Sequence, residues 1–169
     1  CIRDRYDDYG RKSLIDHFFD REATLDTVRD GSAQEKGDFI FSLYEAEIQP
    51  NESATATQVQ ATLRRTGFVE GIPISVSKKV TLGEGESAIV VEYFLEQLPP
   101  DQVFHFAIEW NFAGMPAGAD DRFFYGADQQ PLGQLGRQLD LREVTGIGLV
   151  DRWLGIDVGL TANRPTNFW

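Results

Sequence analysis

The stretch Val103-Phe104-His105-Phe106-Ala107-Ile108-Glu109-Trp110-Asn111-Phe112 decides the fold class. Phe104, Phe106, Ile108 and Trp110 fall on one parity; His105, Ala107, Glu109 and Asn111 fall on the other. Successive side chains of a strand point to opposite faces, so this period of two predicts a strand with one buried face. The same period extends outward. Ala88 to Leu98 is rich in β-branched and aromatic residues and stops at Pro99-Pro100. Ile72, Ile74, Val76, Val80 and Leu82 share a parity that only Lys78 breaks. Val59, Ala61 and Leu63 alternate with polar residues within Ala54 to Phe68. Phe39 to Gln49 reads as a strand closed by a Pro50-Asn51 turn, and Gly67, Gly71 and the run Gly83-Glu84-Gly85-Glu86 read as turns. Past a Gly/Ala/Pro loop at 113–121, Arg122 to Gly126, Gln134 to Leu141, Gly148 to Leu154 and Gly155 to Leu160 complete eight or nine strands. Strands at this spacing, with no βαβ alternation, predict an all-β, antiparallel β sandwich.

The first residues read differently. Leu14, Ile15, Phe18 and Phe19 follow the spacing of one helical face, among dense charge. Thr24 is placed to cap a short helix that stops at Gly31. The expected organisation is therefore a helical and irregular lead-in over 1–37 and a β-sandwich domain over 38–169. An apolar helix face must bury against something, which makes Leu14, Phe18 and Phe19 candidates for an interdomain contact.

Composition bounds the function. The chain has 169 residues, 41% of them hydrophobic, with 16 basic and 27 acidic groups and a net charge of −11. That balance repels phosphate backbones and argues against nucleic acid as a partner. No apolar run approaches the ~20 residues of a membrane helix. One cysteine, Cys1, makes no internal disulfide, and two histidines leave little for His-based catalysis or a metal site. The start at Cys1 reads as that of a fragment of something longer. Residues 83–131 carry nine acids against one base, together with nine aromatics, a composition suited to a neutral polar ligand.

No phosphate-binding glycine loop and no GxSxG elbow occur. His105, on the polar parity, reads as a surface histidine. Asp7-Asp8 and Asp120-Asp121 are acidic but lack EF-hand spacing, so no metal site is assigned. Four residues are carbohydrate-binding candidates. Glu109 and Asn111 share a strand face and together offer acceptors and donors to hydroxyls. Asp151 and Trp153 share another, pairing a carboxylate with an aromatic plane. For each acid the competing reading is a structural ion pair or a solvated surface.

Several segments together resemble a known family: Arg11-Lys12-Ser13-Leu14-Ile15-Asp16-His17-Phe18-Phe19, Thr24-Leu25, Glu35-Lys36-Gly37-Asp38-Phe39, Tyr44-Glu45, Glu109-Trp110-Asn111-Phe112 and Asp151-Arg152-Trp153. In this order they resemble the C-terminal β domain of glycoside hydrolase family 57, of α-amylase/4-α-glucanotransferase type. The resemblance implies a galactose-mutarotase-like supersandwich, truncated at both ends relative to the parent. It also implies a parent enzyme that is a retaining glycosidase or transglycosylase on α-1,4-glucans, cytoplasmic and without an organic cofactor. The catalytic carboxylates would lie in an N-terminal β/α barrel, so no catalytic residue is carried onto this chain. The implied partners are that barrel and an α-glucan oligosaccharide or polysaccharide. The alternatives are an autonomous carbohydrate-binding module, a purely structural domain and, remotely, a mutarotase-like sugar epimerase with Glu109 as base.

Overall fold

The structure, a computed structural model, describes residues 9–10, 12–53, 56–112 and 118–169. The chain is all-β and antiparallel, of sandwich type, with one short helix among the described residues. It divides into two compact units, Cys1–Asn111 and Phe112–Trp169.

The first unit has two layers. A four-stranded sheet runs in the order β2 (Glu45–Ser53), β3 (Ala56–Val69), β4 (Ile72–Gly83), β5 (Ile89–Glu96). Over it lies a two-stranded ribbon of β1 (Ile15–Phe19) and β6 (His105–Glu109). The alternation that predicted β6 is the one observed: Phe104 and Phe106 pack into a core built on Phe18, Phe39, Val69, Ile74 and Val76. The β3–β4 connection is a two-residue hairpin through Glu70 (φ 51°) and Gly71 (φ 82°), the left-handed pair that matches strand twist. Gly67 lies within β3 rather than at the turn, where a Cβ would come within 2.8 Å of the Phe39 ring. Pro50 pairs with Val59 inside β2 instead of ending it. Because β2 is an edge strand, the missing N–H costs no ladder bond.

The N-terminal stretch corrects the helical reading. Residues 15–19 form β1, paired antiparallel with β6 from Ile15↔Glu109 to Phe19↔His105. Asp16 and Phe18 point into the core; Ile15, His17 and Phe19 take the other face. The helical spacing of apolar residues is coincidental, because the polar residues between them, Asp16 and His17, are themselves buried. The capped helix does form, as α1 (Leu25–Asp30): Thr24 accepts from the Thr27 N–H, the Thr27 hydroxyl oxygen accepts from the Thr24 N–H, and Gly31 closes it at φ 65°.

The second unit is one sheet in the order β10 (Ile156–Phe168), β9 (Leu141–Asp151), β7 (Arg122–Gly126), β8 (Pro131–Gln134). β7 lies where expected. The strand expected over Gln134–Leu141 is instead the end of β8, a turn and the start of β9. The one expected from Gly148 begins seven residues earlier. Most of the loop expected at 113–121 lies outside the described residues. Among those described, no helix is long and apolar enough to cross a membrane.

Candidate functional site

Two clusters gather the residues singled out above, one in each unit. In the first, the outer face of the β1–β6 ribbon carries His17, which is buried although it faces away from the core. Its Nε2 lies 2.9 Å from Glu109 Oε2 and its Nδ1 3.0 Å from Glu35 Oε2. The Tyr9 hydroxyl donates to the same Glu109 oxygen at 2.8 Å, and the Asn111 amide donates to Glu109 Oε1 at 2.6 Å. Asn111 also donates to the Lys12 carbonyl at 2.9 Å. Glu109 and Asn111 therefore do come together, but their hydrogen bonds hold β1 and the residues before it against β6. They are spent within the fold.

The electrostatics agree with that assignment. Burial opposes the charge on His17, but hydrogen bonds to Glu109 and Glu35, with the charges behind them, raise its pKa to about 9. The His17 bond lowers Glu109 to about 2 against the opposing effect of burial, helped by Asn111 and Tyr9. A carboxylate that acidic is a poor general base, which argues against sugar epimerisation through Glu109. The linkage has a definite sign. The His17 contribution is complete below pH 6.5 and is lost as the pH rises through about 9. The Glu109 contribution is complete above pH 4.5 and is lost as the pH falls through about 2. We expect urea midpoints to be highest between those limits and to fall above pH 6.5, with a loss of about 2–3 kcal/mol by pH 9. His17→Gln should remove the alkaline fall; an unchanged pH profile in that variant would contradict it.

In the second unit the expected carboxylate–indole pair separates. Asp151, at the end of β9, is fully buried. Its Oδ2 accepts from Arg122 Nε at 2.7 Å, and its Oδ1 accepts from the Leu154 N–H at 2.9 Å. Burial works against its charge, but the Leu154 N–H and Arg122 hold its carboxyl below the usual range. Asp151 thus braces the β9–β10 turn and offers nothing to a ligand. Trp153, on that turn, is 72% exposed, with the Arg122 guanidinium carbon 5.4 Å from its ring centroid. An indole resting on a buried, ion-paired arginine is a fixed apolar platform open to solvent. Arg122 was not legible as part of this site, because only the Arg122↔Asp151 register of β7 and β9 brings it there.

The contact candidates fare differently. Phe18 is 0% exposed and has no surface to offer a partner. Leu14 is half-buried, and Phe19 stacks on His17 with 4.9 Å between ring centroids. Asp120 and Asp121 are engaged with Gln134 and Arg122, while Asp7-Asp8 lie outside the described residues.

Residues 5–169 match the family described as alpha-amylase/4-alpha-glucanotransferase, C-terminal. The chain belongs to this family. A 4-alpha-glucanotransferase of Thermococcus kodakarensis is 31% identical over 142 residues, which cover 81% of this chain. The matched stretch is 20% of that relative's length, so this family member corresponds to about a fifth of it. No solved structure matches the chain.

Proposed function

We propose that this chain is the non-catalytic C-terminal β domain of an α-1,4-glucan-acting enzyme of glycoside hydrolase family 57 type. In this reading it packs on the catalytic β/α barrel of the same polypeptide and contributes an aromatic contact to glucan. The observation that carries the glucan contact is Trp153, held 72% exposed over the buried Arg122–Asp151 pair. Leaving an indole in water forfeits the burial its ring would gain in a core. A pyranose ring recovers it by laying its C–H face on the indole while its hydroxyls stay solvated. The non-catalytic reading is supported by the two carboxylates that close on one point, Glu35 and Glu109, because both clasp the same imidazole.

Affinity electrophoresis in amylose and glycogen tests the contact. The chain should be retarded, and Trp153→Ala should weaken its association about tenfold, the size of a lost aromatic stacking contact. Equal mobility of the two proteins in both gels would leave a purely structural domain.

A further inference from the structure

The β2–β5 sheet is covered by the β1–β6 ribbon along only part of its length. The cover reaches the row containing Lys78, whose Nζ donates to the Leu14 carbonyl at 2.5 Å at the start of β1. Beyond it, the face that carries Ile74 and Val76 continues as two complete cross-strand rows. Ile48, Ala61, Val80 and Val91 form the first, one residue from each strand. Pro50, Val59, Leu82 and Ile89 form the second. Neither row contains a charged or hydrogen-bonding side chain. Ile48 is 71% exposed and Ile89 62%, with Val59 and Leu82 about half-exposed. Single apolar residues on a surface are ordinary, whereas the largest contiguous apolar patch of a monomer, typically a few hundred Å², is often functional.

We infer that these two rows are an intrachain docking face, covered in the complete enzyme by the catalytic portion of the same polypeptide. The inference rests on the reading of this chain as a domain of a glucan-acting enzyme. Three observations favour that occupant over a second copy. Strand spacing and rise give the rows an area of roughly 250–300 Å², well short of the ~800 Å² per partner of a stable interface between free proteins. A segment tethered in the same chain needs no such area, because linkage supplies an effective concentration in the millimolar range. Two copies, each carrying a net charge of −11, also repel one another. Finally, four-fifths of the 4-alpha-glucanotransferase relative lies outside the matched stretch, which provides polypeptide to act as cover.

The test is thiol accessibility on one strand. With Cys1→Ser removing the sole native cysteine, Ile89→Cys introduces a thiol on the aliphatic face and Phe94→Cys one on the opposite face of β5. Both variants are made in the 169-residue chain and in the complete encoded polypeptide, and modification rates are measured with a small maleimide. The Ile89→Cys thiol should react freely in the 169-residue chain and at least tenfold more slowly in the complete polypeptide, while the Phe94→Cys thiol reacts equally in both. Equal rates for Ile89→Cys in the two proteins would overturn the inference. So would protection already present in the 169-residue chain, or a reading frame that adds nothing to these residues. Glucan transfer or hydrolysis by the complete polypeptide is assayed separately: protection without such activity keeps the docking face and removes the enzyme assignment.

Discussion

Lys78→Met is expected to destabilise the first unit by about 3–5 kcal/mol, the cost of leaving a buried carboxylate without its cation. Lys78 is the residue that breaks the apolar parity of β4, and the fold accounts for it. Its ammonium sits 2.7 Å from Asp16 Oδ2, with both side chains almost wholly removed from solvent. It also lies 4.2 Å from the centre of the Tyr44 ring, and the Tyr44 hydroxyl donates to the same Asp16 oxygen. Burial and that bond push the Tyr44 phenol far above its ordinary range, so it stays a donor. Methionine fills the space of the lysine stem but leaves the buried Asp16 carboxyl without its cation. With a domain's total stability near 5–15 kcal/mol, the loss is a large share of it. The triple change Asp16→Leu, Tyr44→Phe, Lys78→Met removes charge and donor together and should recover most of the loss, since buried pairs replaced as a set are often neutral. Urea midpoints of wild type, single and triple variants decide it. A single variant within about 1 kcal/mol of wild type would mean the pair is solvated and marginal.

The same cluster marks where sequence reading stopped. Strands β3 to β6 were legible because their buried faces are apolar at a period of two that only Lys78 in β4 interrupts, β7 because its aromatic run lies between a loop and Gly126, and α1 because Thr24 and Gly31 satisfy its ends locally. β1 was not legible. Two of its three fully buried side chains, Asp16 and His17, are polar, and their partners, Lys78 and Glu109, lie more than 60 residues away. A pattern that counts apolar residues reads such a strand as something else. The break at Lys78 was the one local signal that a buried charge had to be answered from elsewhere. Asp151 and Trp153 were singled out as a pair, but their separation into a buried brace and an exposed ring depends on Arg122, which no spacing along the chain indicates. β9 and β10 were located with shifted ends and β8 was missed, because the turns at 135–140 and 152–155 are set by side-chain anchors such as Arg137 on the Leu132 carbonyl and Asp151 on the Leu154 N–H.

Arg122→Met carries the second large effect, and it joins stability to binding. Arg122 is nearly buried at the start of β7 and is the cation bonded to Asp151. Removing it strands a fully buried carboxylate, and the thermal midpoint of the second unit should fall by more than about 10 °C. The guanidinium is also the surface under Trp153, so the indole should lose its fixed orientation even where the sheet survives. Trp153→Ala separates these consequences: it deletes the platform and leaves Arg122–Asp151 intact, so it should cost glucan retardation with little change in midpoint. Arg122→Lys keeps a charge for Asp151 but not the planar guanidinium beneath the ring. If the platform depends on that plane, this variant should regain much of the midpoint and little of the retardation. Retardation that recovers fully with lysine would show that Trp153 needs only a folded turn, and that the arginine beneath it serves stability alone.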